Sequence, residues 1–269
     1  MSGVKLAARY GLRPHELGLC GPKEAAQQQT LKKFILGKIP VREAKKILQQ
    51  FKGAYPYYRL IAENNNIKDP LKERVVNAYW IGNKLLDKVK IEDLRQMIAK
   101  DFSGPGLLTK DIAAKKAAAI PKSSKPHHSF HVLTIGSVIG SVNFKNTKLK
   151  DLCRVGWGKV TQRVIPARFA KASARRAEAE IQKSRFRVKH GTTSNKCKVI
   201  VEYRPLVREK KIKLGKPIRK EIWWDRTIVP SVKIGDRVSF HWNYLVQILT
   251  KQEVANLKKY TLNTLIALK

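Results

Sequence analysis

Between residues 103 and 126 the spacing of apolar side chains changes from helical to strand-like, so the two sides of this break must fold differently. Before it, Leu31, Phe34 and Ile35, then Ala44, Ile47, Leu48 and Phe51, recur at three- and four-residue intervals, predicting helices over 25–36 and 41–52. Gly37 and Pro40 separate the two, and Gly53 stands where a C-cap glycine would. Helices are also predicted over Tyr55 to Asn64, over Leu71 to Trp80 behind the N-cap and first-turn pair Asp69-Pro70, and over Ile91 to Phe102. The break itself, Gly104-Pro105-Gly106 followed by a lysine–alanine tract and by Pro121 and Pro126, reads as a linker or exposed loop. Behind it, Phe130 to Val142 is rich in Val, Ile and Leu and reads as strand, and further short strands are predicted over 160–165, 199–203, 221–224 and 237–242. Lys251 to Leu268 closes the chain as a helix with Val254, Leu257, Leu262 and Leu265 as its stripe, and Thr250 with Glu253 forms a capping box. The expected class is α+β: an all-helical domain over 1–125, then a small β-barrel domain over 126–269 that carries a basic insertion at about 163–198 and the C-terminal helix.

Charge points to a class of partner. Fifty-six Lys and Arg against 20 Asp and Glu give +36, a balance that favours a polyanion because lysine and arginine release counterions from phosphate. The excess is even, however, with +17 over 1–150 and +19 over 151–269, as a generally basic surface would also give. One stretch stands apart as an apparent insertion in the strand pattern, 163–198, with 11 basic and 2 acidic residues. If nucleic acid is the partner, Arg168, Lys171, Arg175, Arg176, Lys183, Arg185, Arg187 and Lys189 are the residues expected to meet the phosphates. No apolar run approaches the roughly 18–20 residues of a bilayer span, no secretion signal is read, and three scattered cysteines make no disulfide framework. A cytoplasmic setting without a membrane partner is expected.

Two constellations could carry chemistry. Cys153 precedes Gly158-Lys159-Val160, and Gly235-Asp236 opens a strand in which Val238, Phe240 and Trp242 share one face and Arg237, Ser239 and His241 the other. His241 is therefore expected to be polar or ligand-facing, and a buried structural thiol is the plainer reading of Cys153. On a strand, His127, Ser129 and His131 would share a face, a spacing that suits a transition metal if another donor arrives; Cys20, in the turn Gly18-Leu19-Cys20-Gly21-Pro22, is a candidate. The alternative is that the histidines hydrogen-bond backbone groups where the two halves join. Phosphate-binding loops, dinucleotide turns, nucleophile elbows and His-Glu-x-x-His helices are all missing, and the chain is expected not to be an enzyme.

The C-terminal part resembles the HypC-type chaperones of [NiFe]-hydrogenase maturation. The likeness rests on Cys153, Gly158, Lys159 and Val160, then on Gly235, Asp236, Val238, His241, Gln247, Leu249 and Glu253. It departs at Trp157, where that family has proline, at Trp242-Asn243, which replace a small residue and glycine, and in the internal position of Cys153. The resemblance implies a HypC- or OB-like barrel, iron handled by Cys153 and His241, and a metalloprotein client like a hydrogenase large subunit. A thiolate suits low-spin iron and an imidazole is a natural co-ligand. The whole chain also resembles an uncharacterised prokaryotic domain family of unknown function, through Pro14-His15-Glu16-Leu17-Gly18-Leu19-Cys20-Gly21-Pro22, Gly53-Ala54-Tyr55-Pro56-Tyr57, Ala78-Tyr79-Trp80-Ile81-Gly82-Asn83, Pro126-His127-His128-Ser129-Phe130-His131-Val132 and Phe240-His241-Trp242. The function expected is a non-enzymatic accessory or assembly factor that handles iron; the alternative is an RNA- or DNA-binding protein using its basic barrel and inserted helix.

Overall fold

The computed structural model describes all residues except 23, 25, 26, 28, 140–143, 145, 165–195 and 269. Residues 165–195 of the basic insertion, with every residue proposed above to meet phosphate, therefore lie outside the described residues.

The chain opens with a helix not expected from its sequence. Helix α1 (Gly3–Glu16) is capped by the Ser2 hydroxyl and buries ten of its fourteen residues; the other four, Lys5, Arg9, Arg13 and Glu16, form a narrow charged stripe at helical spacing. Around it pack α2 (Thr30–Ile35), α3 (Val41–Gln49), α4 (Tyr55–Glu63) and α5 (Glu73–Trp80), with a 3-10 turn over Lys84–Lys88 and then α6 (Ile91–Asp101). These match the apolar spacing, except that α5 starts later than expected; Asp69 accepts from Leu71 N in a turn, and the N-cap of α5 is Lys72. The first turn of the helix expected from residue 25 falls largely on residues outside the described ones.

Two expectations are corrected. The lysine–alanine tract is not a loop but α7 (Lys110–Ala118), capped by Thr109 and packed on α6 through Ala113 and Ala117. Alanine and lysine are strong helix formers, and no glycine or proline interrupts them. Nor is the segment after His127 a strand. It forms the short helical turn α8 (His128–Phe130), which runs into a π-helix over His131–Ile135 and stops at Gly136, whose φ is 79°. Its Val, Leu and Ile are strand-like in composition, but the His127 side chain caps the turn by accepting from Ser129 N, and burial on all sides does the rest. One more helix, α9 (Thr147–Cys153), leads to the barrel.

Strands β1 (Gly156–Val164), β2 (Lys196–Tyr203), β5 (Ile218–Asp225), β6 (Arg237–His241) and β7 (Tyr244–Ile248) close a barrel in the order β1-β2-β5-β7-β6. All neighbours are antiparallel except β5 and β7, which meet in parallel at Trp223 and Tyr244. A separate two-stranded ribbon, β3 (Leu206–Arg208) and β4 (Ile212–Leu214), lies beside α9. Alternation fills the barrel: Cys197, Val199, Val201 and Tyr203 of β2 are buried while Glu202 is exposed. Helix α10 (Lys251–Ala267) carries the expected capping box, but Leu257, Tyr260, Thr261 and Thr264 form its buried face, leaving Leu262 and Leu265 half-buried. One apolar core runs from the helices into the barrel. No helix among the described residues is long and apolar enough to cross a membrane.

A candidate metal centre between helices and barrel

Pro14 sits in the last turn of α1 and has no N–H, so the Tyr10 carbonyl four residues back lacks its helical donor. The barrel supplies one: His241 Nδ1 lies 2.8 Å from Tyr10 O, at the end of β6. A carbonyl only accepts, so Nδ1 carries the proton and Nε2 is left as a bare lone pair. That Nε2 is buried and has no hydrogen-bond partner among the described residues. Tyr10 also fixes the strand through Ser239 Oγ at 2.8 Å and Gln247 Nε2 at 3.4 Å. Ser239 and His241 thus share the face turned to α1, opposite Val238 and Phe240, as the alternation predicts; Arg237 on their side is exposed.

Two contacts bring Cys153 to this histidine. Strands β6 and β7 are joined by Trp242 and Asn243, whose φ values of 50° and 61° give the paired left-handed residues of a tight hairpin. Within that turn Trp242 N donates to Leu152 O at 2.9 Å, pinning it to the end of α9. On the other side of Cys153, Arg154 and Asp151 form a buried ion pair at 2.9 Å. Asp151 also accepts from Leu206 N at 2.8 Å and Tyr203 Oη at 3.0 Å, and Arg154 donates to Arg204 O at 2.7 Å, so the end of α9 is fastened to β2 and β3.

A third donor was missed in the sequence. His127 is the N-cap, with extended backbone outside the helical turn, and its ring turns to Tyr260, whereas His128 and His131, three residues apart on the turn, both line the cavity and His128 reaches the site. The donor atoms of His128, Cys153 and His241 all lie within 4.8 Å of one another, and all three residues are buried. A tetrahedral ion with bonds of about 2.0–2.3 Å holds its donors roughly 3.3–3.8 Å apart. The triad reaches that spacing by closing at most about 1–1.5 Å. His128 Nε2 lies 2.8 Å from Cys153 O, a helix-terminal carbonyl, and Nδ1 lies 3.0 Å from Tyr79 Oη. Tyr79 in turn reaches Gly53 O at 2.9 Å. The hydroxyl can therefore donate to His128 Nδ1, or accept from it while donating to Gly53. By the rule applied to His241, the Cys153 carbonyl puts the His128 proton on Nε2 in the first arrangement; only the second, reached when Nε2 gives up Cys153 O, makes it a ligand held by a partner on its other nitrogen.

Electrostatics favour neutral groups here. Burial holds His241 down at about 4, partly offset by the Tyr10 and Cys153 carbonyls. His128 is pushed well below its usual value, first by burial and then by His241 and His131. Both imidazoles are thus unprotonated lone-pair donors at neutral pH. Burial pushes the Cys153 thiol well up, with Cys20 adding to it; the Trp242 indole works the other way. Without a cation, Cys153 is a thiol, and binding one would release its proton.

The triad opens on a cavity of about 80 Å3, walled by Phe51, Trp80 and Trp242 among others, with Cys20 and His131 also on its lining. Cys20, half-buried, is pushed up to about 12 by burial and is placed by His15, whose ring nitrogens reach Cys20 O and Gln27 O. His131 bonds Tyr57 Oη at 3.2 Å and is held at about 4 by burial and then Lys116. His127 is elsewhere: its ring stacks on Tyr260 at 5.6 Å, and its role is the cap described above. Of the three histidines read as junction groups, His128 and His127 bond backbone atoms, Cys153 O and Ser129 N, whereas His131 bonds the Tyr57 hydroxyl.

The chain belongs to a family of unknown function (DUF6390), whose model matches residues 1–170 and 172–269. No curated protein and no solved structure matches it significantly.

Proposed function

We propose that this member of the family binds a late first-row transition metal between His128, Cys153 and His241, and that it serves as a non-enzymatic accessory or assembly factor for that metal. The observation that carries the reading is His241 Nε2, a buried lone pair without a partner, aimed at a thiol and a second imidazole. Leaving such an atom unpaired costs about 1–3 kcal/mol, which a metal bond would offset. Two nitrogens and a sulfur suit iron, zinc, cobalt or copper rather than magnesium or calcium. The small cavity supports cargo over an organic substrate, since pockets for drug-sized ligands run about 300–1,000 Å3. The HypC resemblance names iron as the metal and a metalloprotein as the client, and the closed barrel with Cys153 beside His241 is compatible with it.

The test is metal content by mass spectrometry after anaerobic purification with iron, and again with zinc or cobalt. About one ion per chain is expected. Cys153→Ser and His241→Ala should lose it and His127→Asn should keep it, with near-ultraviolet circular dichroism confirming that each variant folds. Equal metal in wild type and Cys153→Ser would end the proposal.

A second reading, binding of single-stranded nucleic acid, is supported by one surface feature besides the charge. Trp223, 40% exposed, stacks on Tyr244 at 6.4 Å, with Lys198 over the first ring and Arg13 over the second. Aromatic faces beside cations suit stacked bases.

A further inference from the structure

A cluster of cations lies against the π-helix, with no acidic side chain among the described residues that line it. Lys116 of α7, Lys150 of α9 and Arg208 of β3 line an open groove of about 610 Å3 together with Leu133, Phe144 and Ile212. No acidic residue is among its lining residues, and none of the three cations has an ion-pair partner among the described residues. Three elements distant in sequence converge here, so the cluster is not a by-product of one lysine-rich helix.

Two of the cations are held in place. Lys116 Nζ donates to Ile135 O at 2.7 Å and Lys150 Nζ to Leu133 O at 3.4 Å, both carbonyls belonging to the π-helix. An ammonium has three donors, so each keeps two for a ligand. Arg208 brings a planar fork that matches a tetrahedral oxyanion. The arrangement works against itself when empty: Lys150 is held below its usual value, first by burial and then by Arg208 and Lys116. A bound anion would relieve that repulsion.

We propose that this groove is a binding site for a phosphate-class oxyanion carried on a small molecule. The cations hold the phosphate, and the apolar walls of Leu133, Phe144 and Ile212 leave room for a carrier larger than the ion itself. Ser137 and Phe144 line both this groove and the buried cavity, so the ligand would sit beside the candidate metal centre. The inference does not depend on a metal being bound there.

Calorimetric titration of the full chain with inorganic phosphate and with ribose 5-phosphate, at ionic strength held with chloride, tests it. Saturable binding of one ligand per chain is expected. Lys150→Met and Arg208→Gln should each weaken it at least tenfold, and Lys211→Gln, which removes an exposed lysine outside the groove, should leave it unchanged. Tighter binding of the sugar phosphate would support a carried phosphate. Preference for inorganic phosphate would overturn that part and leave a free-ion site. No saturable binding, or equal losses in all three variants, would overturn the site altogether.

Discussion

Replacing Arg154 by methionine should destabilise the protein by about 3 kcal/mol, and replacing Asp151 by asparagine should cost more. Arg154 is 1% exposed and Asp151 7%. Breaking such a pair typically costs 3–5 kcal/mol, because the surviving charge stays buried without compensation. The structure decides which survivor fares worse. Without Arg154, Asp151 keeps the Leu206 amide and the Tyr203 hydroxyl, and half-buried Lys220 is close enough to interact with it. That places Arg154→Met at the low end. Without the carboxylate, Arg154 and Lys220 are left as two neighbouring cations with no anion, which places Asp151→Asn at or above the middle of the range. The double variant Asp151→Asn/Arg154→Met should be less destabilised than the sum of the two, since no charge of the pair is then stranded. Urea unfolding followed by tryptophan fluorescence measures all three, provided the slope with denaturant is unchanged. Additive effects, or an Arg154→Met cost equal to or above that of Asp151→Asn, would refute the reasoning. Because Cys153 lies between the two residues, both variants should also weaken metal uptake.

Two further outcomes follow from groups already placed. Burial lowers His127 to about 3, against about 6.5 in an unfolded chain. The unfolded state therefore binds the extra proton first, and this stability is present above about pH 6.5 and is lost as pH falls toward 3. Urea midpoints should decline below pH 6.5, by about 1.4 kcal/mol per pH unit for each such histidine. His127→Asn, which keeps a capping side chain, should make the decline shallower by one proton, and an unchanged acid limb would contradict the assignment. For the nucleic-acid reading, Trp223→Ala should weaken binding of a single-stranded oligonucleotide by roughly 1–3 kcal/mol while leaving the salt slope unchanged; binding insensitive to Trp223 would remove the stacking surface from it.

The periodic parts of this fold were legible because each has one wet face. Helices α3, α4 and α6 show the spacing of Ala44, Ile47 and Leu48, or of Leu94, Met97 and Ile98, against polar neighbours. Strand β2 alternates cleanly for the same reason. The π-helix was misread because it is wrapped on nearly every side, which erases the stripe that reveals a helix; α1 keeps a narrow stripe of Lys5, Arg9, Arg13 and Glu16, but Gly3, Gly11 and Pro14 weaken its helical signal. His128 was lost with the π-helix: strand geometry selects His127 and His131, and only a helical turn puts His128 on the face that meets Cys153 and His241.

The tie between Pro14 and His241 shows where reading a sequence stops. Proline in a helix's last turn announces a carbonyl without a donor, and that much is visible at residue 14. A buried carbonyl must find a donor somewhere. Tyr10 O could have taken one from water, from a neighbouring hydroxyl or from any imidazole the fold brings near. The donor it has is 231 residues away, and nothing local to either residue selects it. Yet that choice settles which nitrogen of His241 holds the proton and so which one faces the cavity. A proline that only broke the helix would leave Nε2 free to carry the proton, and the lone pair on which the metal reading rests would be gone. On the metal reading His241 is thus a ligand by virtue of Pro14, and Pro14→Ala, which restores an N–H competing for Tyr10 O, should lower metal affinity while leaving all three donor side chains in place, although Pro14 itself lines the cavity.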